Sequence, residues 1–239
     1  MASSGIFARS LARALDLPEA VATTTMKVLR MEDMVSKRGR GTSAAMMSAE
    51  DAATFLVAIA SGAVPSQIVE MTNLLLDMQR VDTFSSGPMA GFEKMRASLS
   101  LFHRRPSSLR DALVGLLRET SGFVDEVADD RDSSPGFDPQ FDSSSLRFIL
   151  GTDARKTGGF AIVRARVAKN SVTTHYFSTW PHRAESTAKG DIDPFDCFEC
   201  KAGFLCVASF DGTVFSTAID ALKEPITRTR QRFKRFARS

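Results

Sequence analysis

The sequence predicts an α+β fold in which helices come first and antiparallel strands follow. Up to residue 118 the apolar residues recur three and four positions apart, which is typical of amphipathic helices. Beyond residue 145 apolar and polar residues alternate, which is typical of strands with one buried face. Residues 119–145, with eight acidic residues and many serines, separate the two parts and favour a linker.

The first two predicted helices are short and follow each other closely. Ile6–Leu15 carries its apolar residues on one face, and Pro18 is expected at the first position of the next helix, where its missing N–H has no partner to lose. This second segment, about Pro18–Val35, has an apolar stripe of Val21, Met26, Val28, Leu29, Met31 and Met34. Residues 36–41, SKRGRG, then predict a basic turn framed by glycines, with a returning strand at 44–47.

Two helices, a tight turn and a basic glycine-containing hairpin occur here in the order found in a winged helix-turn-helix. Residues 11–41, LARALDLPEAVATTTMKVLRMEDMVSKRGRG, resemble the winged helix-turn-helix superfamily of bacterial and phage regulators, and the resemblance is limited to about residues 6–62. Met34 and Val35 stand where that pattern has the apolar pair leading into the wing, whereas Asp33 stands where many members have Gly. The resemblance implies a DNA-binding domain over residues 1–62.

Residues 63–118 are predicted to form a helical region that supports the first domain and serves self-association. Before it, Ser48 as N-cap and the acids Glu50 and Asp51 in the first turn predict a helix that ends near Gly62. Further helices are expected from Pro65, over about Met89–Phe102 and over about Ser107–Arg118.

Residues 146–222 are predicted to form a small antiparallel β domain. Strands are expected at 146–150, 159–167 and 172–177, with a hairpin at Lys169–Asn170 between the last two. Asp211-Gly212, between the runs 204–210 and 213–217, predicts a second hairpin, because a type I′ turn needs positive φ at two positions. A helix beginning near Ala218 is expected to close this domain.

Composition narrows the function classes. With a hydrophobic share of 43% the chain can bury a core, and its net charge of +3 is too small to indicate nucleic-acid binding by itself. It has no apolar run long enough for a membrane span, no signal-peptide pattern and an odd number of cysteines, three. We therefore expect a cytoplasmic protein without a membrane partner or a disulfide framework.

The predicted DNA-binding residues come from the second helix and the wing. In a winged helix these two elements reach the duplex, where threonine contacts phosphates or base edges and arginine contacts phosphates or the minor groove. The alternative interpretation is a polar helix surface beside a solvated turn. The residues are Thr23, Thr24, Thr25, Lys27, Arg30, Lys37, Arg38 and Arg40.

The basic tail, residues 223–239, contains seven cations and one Glu, interleaved with Phe233 and Phe236. Such a segment can add affinity for a phosphate backbone without adding sequence choice. Its alternative is a frayed, solvated chain end. The auxiliary contacts predicted here are Arg228, Arg230, Arg232, Lys234 and Arg235.

Signals for metal binding and catalysis are weak. Cys197 and Cys200 form a C-x-x-C pair, but a structural zinc site normally needs a second pair of comparable spacing, so we predict no metal and no cofactor. The chain has no phosphate-binding glycine loop, no G-x-S-x-G and no H-E-x-x-H. We therefore expect a protein that is not an enzyme.

Taken together, the sequence predicts a sequence-specific double-stranded DNA-binding protein that acts as a transcriptional regulator in a phage or prophage setting. A dimer is expected, because two-fold operators require two reading heads, and the β domain is expected to serve oligomerisation, binding of a protein partner or ligand sensing. One alternative is a phage genome-packaging adaptor that resembles small terminase subunits and forms a ring. The other is a protein-interaction module with a vestigial helix-turn-helix.

Overall fold

The computed structural model describes residues 3–37, 47–86, 106–118, 146–153, 158–168, 171–179 and 205–223. Within these ranges it is a mixed α+β structure of six helices and one five-stranded antiparallel sheet, which confirms the predicted class. The helices are α1 Ser4–Ala14, α2 Glu19–Met31, α3 Ala49–Ala60, α4 Ile68–Leu76, α5 109–118 and α6 Gly212–Lys223. The strands are β1 Gln79–Ser86, β2 Leu146–Asp153, β3 Gly159–Ala168, β4 Ser171–Ser178 and β5 Leu205–Asp211.

The sheet has the strand order β1-β4-β3-β2-β5, and every neighbouring pair is antiparallel. β3 and β4 pair directly up to Ala168 and Ser171, which confirms the hairpin predicted between them. Residues 107–109 extend the pairing beyond β1: Arg80 donates its N–H to the Ser107 carbonyl at 3.0 Å, and Leu109 donates to Met78 at 2.9 Å. The start of β1 is therefore hydrogen-bonded on both sides.

One face of the sheet, which we call the inner face, shares a hydrophobic core with the helices. Alternate residues of β2, β3 and β4, such as Phe148, Val163 and Phe177, are fully buried in this core together with Phe7 of α1. The ring of Phe215 in α6 meets Phe148 edge-on, with centroids 6.4 Å apart. α6 also contacts α1, so it joins the sheet to the first helix.

The opposite face of the sheet, the outer face, carries a second and smaller apolar cluster. Phe160 and Ile162 of β3 are buried there against Ile149 and Tyr176. Phe160 pairs across the strands with Gly151, and a Cβ on Gly151 would overlap the Phe160 ring. Because Gly151 in β2 has no side chain, the Phe160 ring of the neighbouring strand β3 can lie against the Gly151 backbone.

The predicted hairpin at Asp211-Gly212 is wrong, because β5 ends at Asp211 and α6 begins at Gly212. The Asp211 side chain accepts a hydrogen bond from the Thr213 N–H at 2.9 Å, as a helix-capping side chain does. The adjacent residues Val214 and Phe215 are both buried, which one face of a helix allows and an alternating strand does not. The partner of β5 is β2, and the closing helix begins before Ala218.

The predicted separation into a helical region and a β domain is also corrected. β1 lies within residues 63–118, which we expected to be helical, and it pairs with β4 of the other region. The core residues of α1, α3 and the sheet form one buried cluster. The helix expected over Met89–Phe102 and the acidic segment 119–145 lie outside the described residues.

The remaining helix predictions are confirmed, except that the helix expected from Pro65 begins at Ile68. Ser48 caps α3 in a capping box with Asp51, and the last helix before the acidic segment, α5, covers residues 109–118 with Leu109, Leu113 and Leu117 buried. In the part of the chain that the structure describes, no helix combines the length and apolar character needed to cross a bilayer.

Candidate nucleic-acid interface

The first two helices are joined by the short turn Leu15–Pro18, in which Asp16 adopts a left-handed φ of 51°. The turn closes with a hydrogen bond from the Leu17 N–H to the Ala12 carbonyl at 2.8 Å. Pro18 is the N-cap of α2, one position before the place we predicted. A turn of this length with a left-handed residue is a feature of helix-turn-helix motifs, in which Gly often takes that position.

The two helices touch at both ends. Arg13 near the end of α1 lies 3.4 Å from the Glu19 carboxylate at the start of α2. At the other end, Arg30 donates from Nη1 to the Ser4 hydroxyl at 3.4 Å. Glu19 and Arg30 lie on the same side of α2, so α1 flanks this side of the helix.

The buried side of α2 differs from the predicted apolar stripe. Ala22, Met26 and Leu29 are buried in the core, and Thr25 is buried with them at 5% exposure. Thr25 therefore does not belong to the DNA-facing surface to which the sequence analysis assigned it. Val21 and Met31, which we expected in the core, are 48% and 63% exposed.

The exposed side of α2, which we call the α2 face, carries two of the predicted threonines and Lys27. Thr23, Thr24 and Lys27 are all exposed. The Thr23 hydroxyl donates back to the Glu19 carbonyl at 2.8 Å, so its oxygen lies against the helix backbone. The other members of the α2 face are apolar: Ala20, Val21, the half-buried Val28, and Met31.

Two further predicted cations lie near the end of α2 in intramolecular contacts. Arg30 is half-buried and bonded to Ser4, as described above. Lys37 lies with Nζ 2.7 Å from the Asp33 carboxylate and donates to the Met31 carbonyl at 2.7 Å. A cation at this position also interacts favourably with the negative end of the helix dipole.

Asp33 occupies the left-handed position that terminates α2, with a φ of 57°. The Met34 N–H then bonds to the Leu29 carbonyl at 2.9 Å, which is a hydrogen bond of the Schellman type. The position at which the resembling family often has Gly is thus one that requires positive φ. Asp is among the residues that tolerate this conformation best after Gly and Asn.

The carboxylate of Asp51 connects the two ends of the predicted wing. Its Oδ1 accepts from the Ser36 N–H at 2.9 Å and its Oδ2 from the Ser48 N–H at 3.0 Å. Asp51 is 5% exposed, and the flanking Val35 and Met47 are buried. We call this arrangement the Asp51 clasp; it holds side by side the points where the chain leaves and rejoins the helical layer.

The segment between these two points contains the other predicted wing residues. Arg38 and Arg40, and the returning strand expected at 44–47 up to residue 46, lie outside the described residues. The tail cations Arg228, Arg230, Arg232, Lys234 and Arg235 and the pair Cys197 and Cys200 lie outside them as well. Among the residues that are described, no three of the metal-binding types His, Cys, Asp and Glu come together.

Among the described residues, His175 has the largest shift in pKa, and it lies on the inner side of β4. It is fully buried, and its Nδ1 lies 2.9 Å from the Thr83 hydroxyl of β1. Burial lowers its pKa to about 4, and the positive charge of Arg80 contributes in the same direction. A neutral imidazole at physiological pH serves as a hydrogen-bonding partner between strands at this position.

Sequence reasoning missed the Asp51 clasp and misplaced part of the α2 face. Asp51 was recognised as a first-turn acid, but nothing in the local sequence signals its bond to Ser36, fifteen positions earlier. Comparisons with protein-family models, curated proteins and solved structures find no match to this chain.

Proposed function

We propose that the chain binds double-stranded DNA through the α2 face and through residues 37–47, whose flanking residues Ser36 and Ser48 both bond to Asp51. The observation that carries this proposal is the clasp itself: one buried carboxylate bonds the backbone on both sides of residues 37–47. A basic segment whose two stems lie together, directly after an exposed helix, matches what a wing requires.

Charge supports the same proposal. Lys27 lies exposed on the α2 face, and Lys37, Arg38 and Arg40 follow within or at the edge of the clasped segment. Cations that approach a duplex displace condensed counterions, which makes binding strongly salt-dependent. The exposed Arg9 of α1, on the neighbouring helix, adds a further cation, whereas Arg13 of α1 is paired with Glu19.

The proposal is tested by fluorescence anisotropy of a labelled 24-base-pair duplex titrated with the full chain at several salt concentrations. We expect the slope of log affinity against log salt to fall by about 1 for Lys27→Ala and by about 2 for the double variant Arg38→Ala/Arg40→Ala. Arg164→Ala is the matched control, because Arg164 is an exposed arginine on β3, away from the helices. Equal slopes in all proteins, or no binding at low salt, would overturn the proposal.

The biological role follows from how many copies assemble. A dimer supports the proposed regulator, because two reading heads match a two-fold operator. A ring of eight or more subunits supports the packaging adaptor instead. Mass measurement of the purified full chain separates these two roles. A search for a protein that binds the sheet would then use the dimer or ring found in this way.

A further inference from the structure

The α2 face is unusual for a DNA-reading surface because it has few groups that can hydrogen-bond to bases. α2, EAVATTTMKVLRM, contains no Asn or Gln, the residues that read adenine in the major groove. Its one guanidinium, that of Arg30, reaches back to Ser4. Besides the Glu19 carboxylate at the start of α2, which lies 3.4 Å from Arg13, the polar groups left on the open surface are the Thr24 hydroxyl and the Lys27 ammonium.

The same surface presents several apolar groups at helical spacing. Ala20, Thr24, Lys27 and Met31 follow each other along the centre of the exposed side, three and four positions apart. Val21 and Val28 lie beside this row, on the side away from Arg30. Because the Thr23 hydroxyl is bonded to the Glu19 carbonyl, the part of Thr23 that a ligand meets is largely its methyl group.

Of the four bases, thymine alone places an apolar group, its C5 methyl, in the major groove. Alanine, threonine and other apolar side chains are suited to contact that methyl. The exposed Lys27 lies on the same row, and its positive charge attracts the negatively charged DNA phosphates. We therefore infer that the α2 face recognises thymine-rich duplex DNA mainly through C5-methyl groups; this inference rests on the proposed function.

The experiment removes and adds the methyl group without changing the protein. Alternating A·T duplexes of 24 base pairs are compared with the same duplexes carrying uracil for thymine. Alternating G·C duplexes are compared with the same duplexes carrying 5-methylcytosine, which places a methyl at the same position of the groove. We expect uracil to weaken binding, and methylcytosine to strengthen it, by about fourfold for each methyl contacted, with unchanged salt slopes.

Variants of the protein connect the effect to the α2 face. Val21→Ser and Met31→Gln are expected to remove most of the difference between thymine and uracil duplexes. Val207→Ser is the matched control, because Val207 on β5 is 46% exposed and Val21 is 48% exposed. The control is expected to keep the full difference.

Three results would contradict this inference or the proposed function, and they can be told apart. Equal affinity for thymine and uracil duplexes overturns this inference and leaves the proposed function standing. Failure to bind any duplex overturns the proposed function itself. If Val21→Ser changes the assembly mass of the protein but not its affinity for DNA, the α2 face is a contact between protein subunits, and the inference is wrong.

Discussion

Asp51 and His175 are both buried polar side chains, and a comparison of the two shows how differently the helical layer and the sheet are held together. Asp51 joins separate stretches of chain by accepting from the N–H groups of Ser36 and Ser48. His175 bonds Thr83 on a strand that already pairs with its own. The carboxylate determines where a loop leaves and returns, whereas the imidazole adds to a pairing that the strands already make.

The helical layer and the sheet should therefore respond to different perturbations. The Asp51 side chain takes part in the capping box of α3 and also bonds Ser36. Its removal should therefore change the path of the chain at Ser36, next to the proposed interface. The sheet depends on a side chain that must stay neutral, so acid should affect it.

Replacing Asp51 with Ala should lower the free energy of unfolding by about 2–4 kcal/mol, because the N–H groups of Ser36 and Ser48 lose a charged acceptor and α3 loses part of its cap. Chemical denaturation of the full chain measures this. Asp220→Ala in α6, where the side chain is exposed, is the control and should cost less than about 0.5 kcal/mol. A loss at Asp51 as small as that at Asp220 would contradict the clasp.

Acid should destabilise the sheet through His175. The pKa of His175 is about 4 in the folded protein and 6.5 in the unfolded chain, so above pH 6.5 the imidazole is mostly neutral in both states. As the pH falls from 6.5 to 4, the unfolded chain binds a proton that the folded chain does not, and the free energy of unfolding falls by about 3 kcal/mol. Denaturation at several pH values, compared with His175→Gln, isolates this contribution; parallel curves would contradict it.

Gly151→Ala should lower the free energy of unfolding by about 1–3 kcal/mol, because the added methyl overlaps the Phe160 ring. Thermal or chemical denaturation measures the effect. The double variant with Phe160→Leu should cost less than the sum of the two single variants, since the smaller side chain relieves the overlap. Additive costs would mean that the ring does not cover Gly151.

Asp16→Gly should raise the free energy of unfolding by about 0.5–1 kcal/mol, because Gly adopts the left-handed conformation without steric cost. Asp220→Gly, in the exposed interior of α6, should have the opposite sign and cost about 1 kcal/mol. Denaturation of both variants checks the contrast. A loss of stability at both positions would show that the Asp16 side chain has a role that its φ does not reveal.

The sequence alone was sufficient to predict a helix or strand where the local signals and the pattern of burial agree. Ser48 and Asp51 predicted the start of α3, and the leucines of residues 109–118 predicted α5, because caps and apolar spacing indicate the same element. The alternation in β2, β3 and β4 was clear because the inner face is strongly apolar. In these segments local preference and the final fold coincide.

The sequence was not sufficient to predict the structure where a local signal competes with packing. Asp211-Gly212 has the chemistry of a hairpin turn, but Val214 and Phe215 are buried together, and the buried face of α6 decides the outcome. α2 has apolar residues on both sides, so its period did not reveal that Thr25 faces the core while Val21 and Met31 face solvent. β1 was missed because its partner β4 lies about 90 residues away in the chain, which no local pattern encodes.

The most direct test of the central claim is photo-crosslinking from the α2 face to DNA. A benzoyl-phenylalanine is introduced at Thr24 in one protein and at Val207 in the other, and each full chain is irradiated with a 24-base-pair duplex. The account predicts crosslinks from position 24 that diminish as salt is raised, and few from position 207. Binding without crosslinks from position 24, or equal yields from both positions, would contradict it.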